Sequence, residues 1–301
     1  MFNLGFHGSH NATLAISYKG EVLEAVEVER FISHKNAALF FYEKPPFAVD
    51  IIKEINQYFV QKYNVDFYDN IIYNSVHHLF NWKDVFKFNN LNHMGHHEAH
   101  CYSALYQSPY DEALVISFDG GSDQKFFNVF LAKKGKVAKK LYSGEKDYAI
   151  SYMTPAHFIL DIKRENDIYK GNLVYPGKLM GYVGYGEYNG DMAKKLIEYY
   201  KSNTYDNIVH AVNRFVDIFK DYGIKGWDSY FSDKDGKDLA TTNQVVFERL
   251  FHDEIFNNPI LSEYINDYPI ILTGGCALNI INNTKLAKER EVFIPPNPSD
   301  V

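Results

Sequence analysis

The sequence predicts an α/β protein whose chain begins the same way twice. Residues 1–29 read as three short strands in succession. Residues 113–142 repeat the logic as strand, acidic glycine turn and hairpin, and from about residue 150 the apolar spacing turns helical. A chain of 301 residues suits one large domain or two lobes sharing a cleft, and 46% hydrophobic content is ample for packed cores.

In order, Phe2 to His7 is an apolar strand, Thr13 to Tyr18 alternates, Lys19-Gly20 turns, and Val22 to Val28 alternates again. Gly5-Phe6-His7-Gly8-Ser9-His10-Asn11 reads either as a hairpin turn or as a turn whose amides approach a phosphate. Glu29 to Lys35 leaves the sheet as a solvated loop. Pro45-Pro46 opens a helix striped by Phe47, Ile51, Ile52, Ile55 and Phe59, and residues 66–73 form a strand around Ile71 and Ile72. Ala113 to Phe118 is a buried strand running into Asp119-Gly120-Gly121-Ser122-Asp123, with hairpin arms at 126–132 and 137–142. Helices follow at roughly 151–163, 191–202, 204–222 and 238–256.

Two glycine-rich stretches invite an anion. Tyr175 to Gly186 carries Lys178 in a loop, but Gly171 to Gly177 is one residue too long for a P-loop, and Leu179 stands where Ser or Thr would hold magnesium. Tyr268 to Leu272 is a strand ending in Thr273-Gly274-Gly275-Cys276-Ala277-Leu278-Asn279 before a helix. That arrangement offers unpaired first-turn N–H groups to a phosphate. A nucleotide would then meet Asp119, Gly120 and Gly121 on one side and Gly274, Gly275 and Asn279 on the other. Val292 to Ile294 is a last strand.

Four of the twelve histidines crowd into residues 93–100. If a helix starts near His96, then His96 and His100 stand one turn apart on one face, where two imidazoles can chelate one divalent metal. The order is not that of the H-E-x-x-H proteases, and a surface cluster of histidines is the other reading.

The net charge of −7, from 31 basic and 38 acidic residues, argues against bulk binding of a phosphate backbone and leaves a local basic groove open. Cys101 and Cys276 are too few for a disulfide framework and fit a reducing compartment. No apolar run has the length of a membrane span and no signal-peptide layout opens the chain, so it reads as cytoplasmic.

Taken together, eight stretches in order resemble the carbamoyltransferase family that includes the tobramycin, cephamycin and nodulation-factor enzymes. They are G-F-H-G-S-H-N-A, V-E-R-F-I-S-H-K, H-H-E-A-H, S-F-D-G-G-S-D, P-G-K-L-M-G-Y-V-G-Y-G, D-L-A-T-T-N-Q-V-V-F-E, L-T-G-G-C-A-L-N-I-I-N-N and I-P-P-N-P-S-D. The resemblance implies the two-lobed fold of actin and sugar kinases with a nucleotide cleft between lobes, here residues 1–110 and 111–301, the second lobe carrying a helical insertion at about 150–256. It implies Asp300 as the third metal ligand beside His96 and His100. The ion is iron(II) first, with zinc or manganese as alternatives. It also implies His10 as catalytic base, oriented by its neighbour. That neighbour is Asn11 here instead of the family's Asp, so the orienting partner is neutral.

The implied chemistry has two steps. Carbamoyl phosphate and ATP, with magnesium, give carbamoyl-adenylate in a C-terminal domain, and the present kind of domain moves the carbamoyl group to a hydroxyl acceptor. That adenylating domain lies outside residues 1–301, which points to a further domain or a second polypeptide as partner, and a homodimer stays open. Two other readings remain: a relative of the tRNA threonylcarbamoyl transferase, and a non-catalytic nucleotide-binding subunit that needs a partner chain.

Overall fold

Alternation builds the first sheet. In β1 (Phe2–His7) Leu4 and Phe6 are buried, and they pair with buried Ile16 and Leu14 of β2 (Thr13–Tyr18). Lys19 and Gly20 both take positive φ, the geometry of a two-residue hairpin, and β3 (Glu21–Glu27) returns. The computed structural model describes residues 1–9, 11–33, 48–74, 81–122, 125–163, 174–203 and 208–299. The proposed helix opening at Pro45-Pro46, with Phe47, lies outside the described residues.

The segment after β3, expected as a loop, is a short helix, α1 (Val28–Ile32). Buried Val28 anchors it and Arg30 donates back to Glu27 at 3.0 Å. In α2 (Ala48–Tyr63) Ile51, Ile52, Ile55 and Phe59 form the expected stripe and join Leu4, Phe6, Leu14 and Ile16 in one core. β4 (Tyr68–Asn74) and β5 (Phe88–His93) add in parallel, giving the order β3-β2-β1-β4-β5.

After α3 (His96–Gln107), the second sheet is built from β6 (Glu112–Ser122), β7 (Lys125–Lys133), β8 (Lys139–Gly144), β9 (Ile270–Thr273) and β10 (Val292–Phe293). Its order is β10-β9-β6-β7-β8. Taken from the other edge this is the first sheet again: an antiparallel meander whose first strand pairs in parallel with a later strand, which in turn pairs in parallel with the next. One expectation is corrected, because β6 does not stop at the acidic glycines. It continues to Ser122 with a register shift after Phe118, since two glycines in a strand permit a bulge as readily as a turn.

Between β8 and β9 the chain is helical. α4 (Tyr148–Met153) is capped by Asp147, whose Oδ1 accepts from the Ile150 N–H at 2.8 Å, and Pro155 then tightens the backbone into a 3-10 turn, Thr154–Phe158. The Lys178 stretch is α5 (Tyr175–Tyr182) and not a loop. Pro176 sits in its first turn, and buried Tyr175 and Leu179 anchor it despite two glycines. α6 (Gly190–Ser202), α7 (Ile208–Phe219) and α8 (Asp233–Phe256) follow, and α9 (Ile280–Glu289) comes after β9. By internal packing the chain divides into Met1–Ala99 and His100–Ser299. No helix among the described residues is long and apolar enough to cross a membrane.

The second core encloses one histidine. His157 is 3% exposed, and its Nε2 has no hydrogen-bond partner among the described residues. Burial, with Lys163 adding, pushes its pKa down from 6.5 to about 4. The unfolded chain therefore takes up this proton first. The stability from keeping the ring neutral is present above about pH 6.5 and is lost as pH falls toward about 4. The expected loss between about pH 7 and about pH 5 is ~2 kcal/mol. Urea unfolding at the two pH values should show this difference in the wild type, and His157→Gln should flatten it.

Candidate functional site

One face holds α3 in place. His97, His100, Cys101, Ala104, Leu105 and Ser108 are buried, a spacing of three and four that lays the helix along the second sheet. Cys101, Ala104 and Leu105 pack on Ala113 and Val115 of β6, Phe130 and Ala132 of β7 and Ile271 of β9. In β6, Leu114, Ile116 and Phe118 turn into the opposite core, so strand alternation puts Ala113, Val115, Ser117 and Asp119 on the α3 side. Asp119 thus arrives at the first turns of the helix.

His100 Nε2 lies 3.0 Å from Asp119 Oδ2. His96 is one turn earlier on the same rod, and the ligand-capable atoms of His96, His100 and Asp119 all fall within 4.8 Å of one another. The packing division at Ala99 falls within α3, yet the separation of His96 and His100 is set by the helix itself. Two imidazoles and one carboxylate are a donor set that suits a borderline divalent ion. His97 is not in this group: it is 1% exposed and meets His96 edge-on at 5.6 Å between ring centroids. The ring of His7, at the end of β1, lies 6.4 Å from that of His96.

Asp119 is also held from behind. Its Oδ1 accepts from the Gly120 N–H at 2.6 Å and its Oδ2 from the Gly275 N–H at 3.1 Å. Gly274 has φ +90°, and a Cβ there would lie 2.4 Å from the Phe118 carbonyl oxygen, so only glycine fits. The Gly274 N–H donates to the Pro298 carbonyl at 2.6 Å. Both glycine amides expected to face a phosphate are thus engaged inside the protein. The Cys276 thiol is pushed well up by burial, with Asp119 and Asp147 adding, and so is not a ready nucleophile.

His10 and Asp300 lie outside the described residues. Asn11 takes φ 58° and its carbonyl accepts the Thr13 hydroxyl at 2.9 Å, a turn-holding role. Gly121 belongs to β6. Lys178 lies over the Tyr175 ring at 5.9 Å. Asn279 points inward: it caps α9 by accepting from the Asn282 N–H, and it exchanges two hydrogen bonds with Gln244 at 3.1 and 3.0 Å.

Sequence reasoning passed over that inner network. Gln244 also accepts from the Tyr152 hydroxyl at 2.7 Å and donates to Glu248 at 2.8 Å, and Glu248 pairs with Lys285. The available signal was a run of polar residues, Thr242-Asn243-Gln244, where a helix needs its buried stripe; all three are buried. A separate cavity of about 640 Å³ opens around Glu254, which Tyr142, Lys146 and Tyr148 bond at 2.6, 2.8 and 3.1 Å. None of the expected site residues lines it.

The fold and site define an α/β protein with two sheets of one strand pattern and a histidine–carboxylate cluster at the central strand of the second. The chain belongs to the family described as carbamoyltransferase N-terminus, whose model matches residues 32–301. An uncharacterized protein of Methanocaldococcus jannaschii, MJ1051, is 27% identical over 319 residues, covering 99% of this chain and 55% of its own length. Full-length HypF in its phosphate- and nucleotide-bound form is similar in structure, with TM-score 0.50 and 12% identity over 99% of this chain and 53% of that one. HypF of T. kodakarensis gives 0.52 and 11% over 98% and 45%. The chain thus spans about half the length of the relatives it matches.

Two sets of variants probe the centre. His100→Ala and Asp119→Asn should each weaken binding of iron(II) or zinc at least ~tenfold, read by metal analysis, with circular dichroism unchanged. Gly274→Ala should destabilise the fold by about 1–3 kcal/mol, read in thermal unfolding. At Gly275 a Cβ would stand 3.1 Å from Asp119 Oδ1, so Gly275→Ala should act more on metal affinity than on melting temperature.

Proposed function

We propose that this chain transfers a carbamoyl group from carbamoyl-adenylate to a hydroxyl of a small acceptor. What supports the reading is one conjunction: within a carbamoyltransferase family, His96, His100 and Asp119 converge, and the Gly274-Gly275 turn locks that carboxylate. His96, His100 and Asp119 would hold a divalent ion, iron(II) first or zinc or manganese, with Asp300 as the further ligand that the family resemblance implies. When bound, the ion supplies Lewis-acid stabilisation of negative charge on oxygen.

The remaining work falls to the chain. A base takes the acceptor's hydroxyl proton; the resemblance assigns this to His10, beside neutral Asn11. The hydroxyl oxygen bonds to the carbamoyl carbon, the bond from that carbon to the adenylate phosphate oxygen breaks, and AMP leaves. The nucleotide contacts are Asp119, Gly120 and Gly121 with Gly274 and Gly275, where small residues let a ligand approach the backbone. Lys178 and Asn279 stand further from this role, because one rests on Tyr175 and the other is inside the helix-capping network. HypF, of similar fold, has been seen with phosphate and nucleotide bound.

Making the adenylate is a different demand. It brings two polyanions together and expels pyrophosphate, which calls for a dense set of cations. Arg30 and Lys35 near the first motifs and Lys178 in α5 do not form such a set in the sequence. A further domain or a second polypeptide, using ATP, carbamoyl phosphate and magnesium, supplies the intermediate, and the setting is cytoplasmic.

The purified chain given labelled carbamoyl phosphate, ATP and magnesium should release no pyrophosphate. Given preformed carbamoyl-adenylate and a panel of polyhydroxylated acceptors, it should release AMP together with a carbamoylated product, and His100→Ala should abolish that release. Pyrophosphate formed in step with ATP consumption, or AMP release indifferent to His100, would overturn the assignment.

A further inference from the structure

Among the described residues each of the two sheets has two edge strands, and proteins normally blunt such edges with charge, bulges or shortness. β3 carries Glu21, Glu24 and Glu27, with a register shift at Ile16/Ser17 against β2. β8 opens with Lys139 and Lys140 and has a shift at Val129/Phe130 against β7. β10 is two residues long. β5 has none of these devices. Phe88-Asn89-Asn90-Leu91-Asn92-His93 contains no Lys, Arg, Asp, Glu or Pro, keeps one register with β4 from Tyr68↔Phe88 to Tyr73↔His93, and is exposed from Asn89 to His93.

A row of amides runs to that edge. Asn70 Nδ2 donates to Asn3 Oδ1 at 2.8 Å across β4 and β1, and Asn90 Nδ2 donates to Asn70 Oδ1 at 3.2 Å across β5 and β4. Asn90 Nδ2 also reaches the Asp69 carbonyl at 3.2 Å. Among the described residues no bond ends on Asn90 Oδ1, so the ladder finishes on an acceptor at the sheet's open side.

We propose that β5 is a dimerisation edge that pairs antiparallel with β5 of a second copy of this chain. Charge selects the occupant. Two-fold pairing lays a strand against itself, so a strand like β3 would put carboxylate against carboxylate, whereas β5 meets itself without charge. Centring the axis on Asn90 sets Asn90 opposite Asn90 of the second copy and Asn89 opposite Leu91, and it carries the amide ladder across the join. The contact is isologous, so it closes as a pair and leaves neither β5 edge open.

Sedimentation velocity over a concentration series tests this with the full chain. Wild type should show a monomer–dimer equilibrium. Asn90→Lys, which sets like charges opposite one another, should raise the dissociation constant at least ~tenfold. Val22→Lys, on the exposed β3 edge, should leave it unchanged, and circular dichroism should show both variants folded. Amide exchange at residues 89–92 should slow with concentration in wild type only. A monomer at every concentration, a dimer indifferent to Asn90→Lys, or slowing that needs a different added protein would overturn the proposal.

Discussion

The Asp119 carboxylate ties together three segments far apart in sequence. It takes the His100 ring from α3, the Gly120 amide from its own strand and the Gly275 amide from the turn after β9. A carboxylate with 19% of its side chain exposed cannot rely on water alone, and hydrogen bonds to a charged acceptor contribute about 1.5–3 kcal/mol each. Those bonds lie where β6 bulges and where the chain turns after β9, beside Gly274, whose contact with the Phe118 backbone admits no side chain. The same bonds fix the carboxylate's orientation toward the helix, the preorganisation a ligand-binding group needs.

The residues that looked ready for a phosphate belong largely to this clamp. A strand followed by Gly-Gly and a helix is a common anion seat because amides are left over at the helix start. Here the Gly275 amide serves Asp119, the Gly274 amide serves the Pro298 carbonyl, and the Asn282 amide in the first turn of α9 is met by the Asn279 side chain. A nucleotide placed by this turn would therefore be read by its small residues and close backbone, or by exchange of the Gly275 amide from the carboxylate to the ligand. The second route would couple the proposed nucleotide and metal through one side chain, which would make them linked ligands.

Periodicity made much of the fold legible, and the limits have identifiable causes. Alternation located β1 to β3 and the Lys19-Gly20 turn, and the Ile51-Ile52-Ile55-Phe59 stripe located α2. Glycine pairs misled in two directions. At Gly120-Gly121 they signalled a turn and the strand bulged through; at Gly177 and Gly181 they signalled a loop that buried Tyr175 and Leu179 pulled into a helix. At the site, helical spacing alone paired His96 with His100. The partnership of His100 with Asp119 was not readable as a motif, since it depends on α3 lying along the sheet, yet strand alternation from Ala113 through Val115 and Ser117 places Asp119 on that face.

The polar run in α8 explains why a buried helix here tolerates so many amides and hydroxyls. A buried polar group without a partner costs about 1–3 kcal/mol, so a half-satisfied network would be worse than leucines. Asp238 and Thr242 meet the backbone N–H groups of Glu187 and Asn189, both at 2.9 Å, and Asn243 takes the Tyr200 hydroxyl and donates to the Tyr152 carbonyl. Gln244 and Asn279 then satisfy each other in both directions, which specifies one rotamer for each and one seat for the end of the glycine turn. Apolar packing would hold α8 equally near α9 but would leave the turn free to shift by fractions of an ångström. Directional bonds do not, and the Gly275 amide at the far end of that turn is the one that positions Asp119.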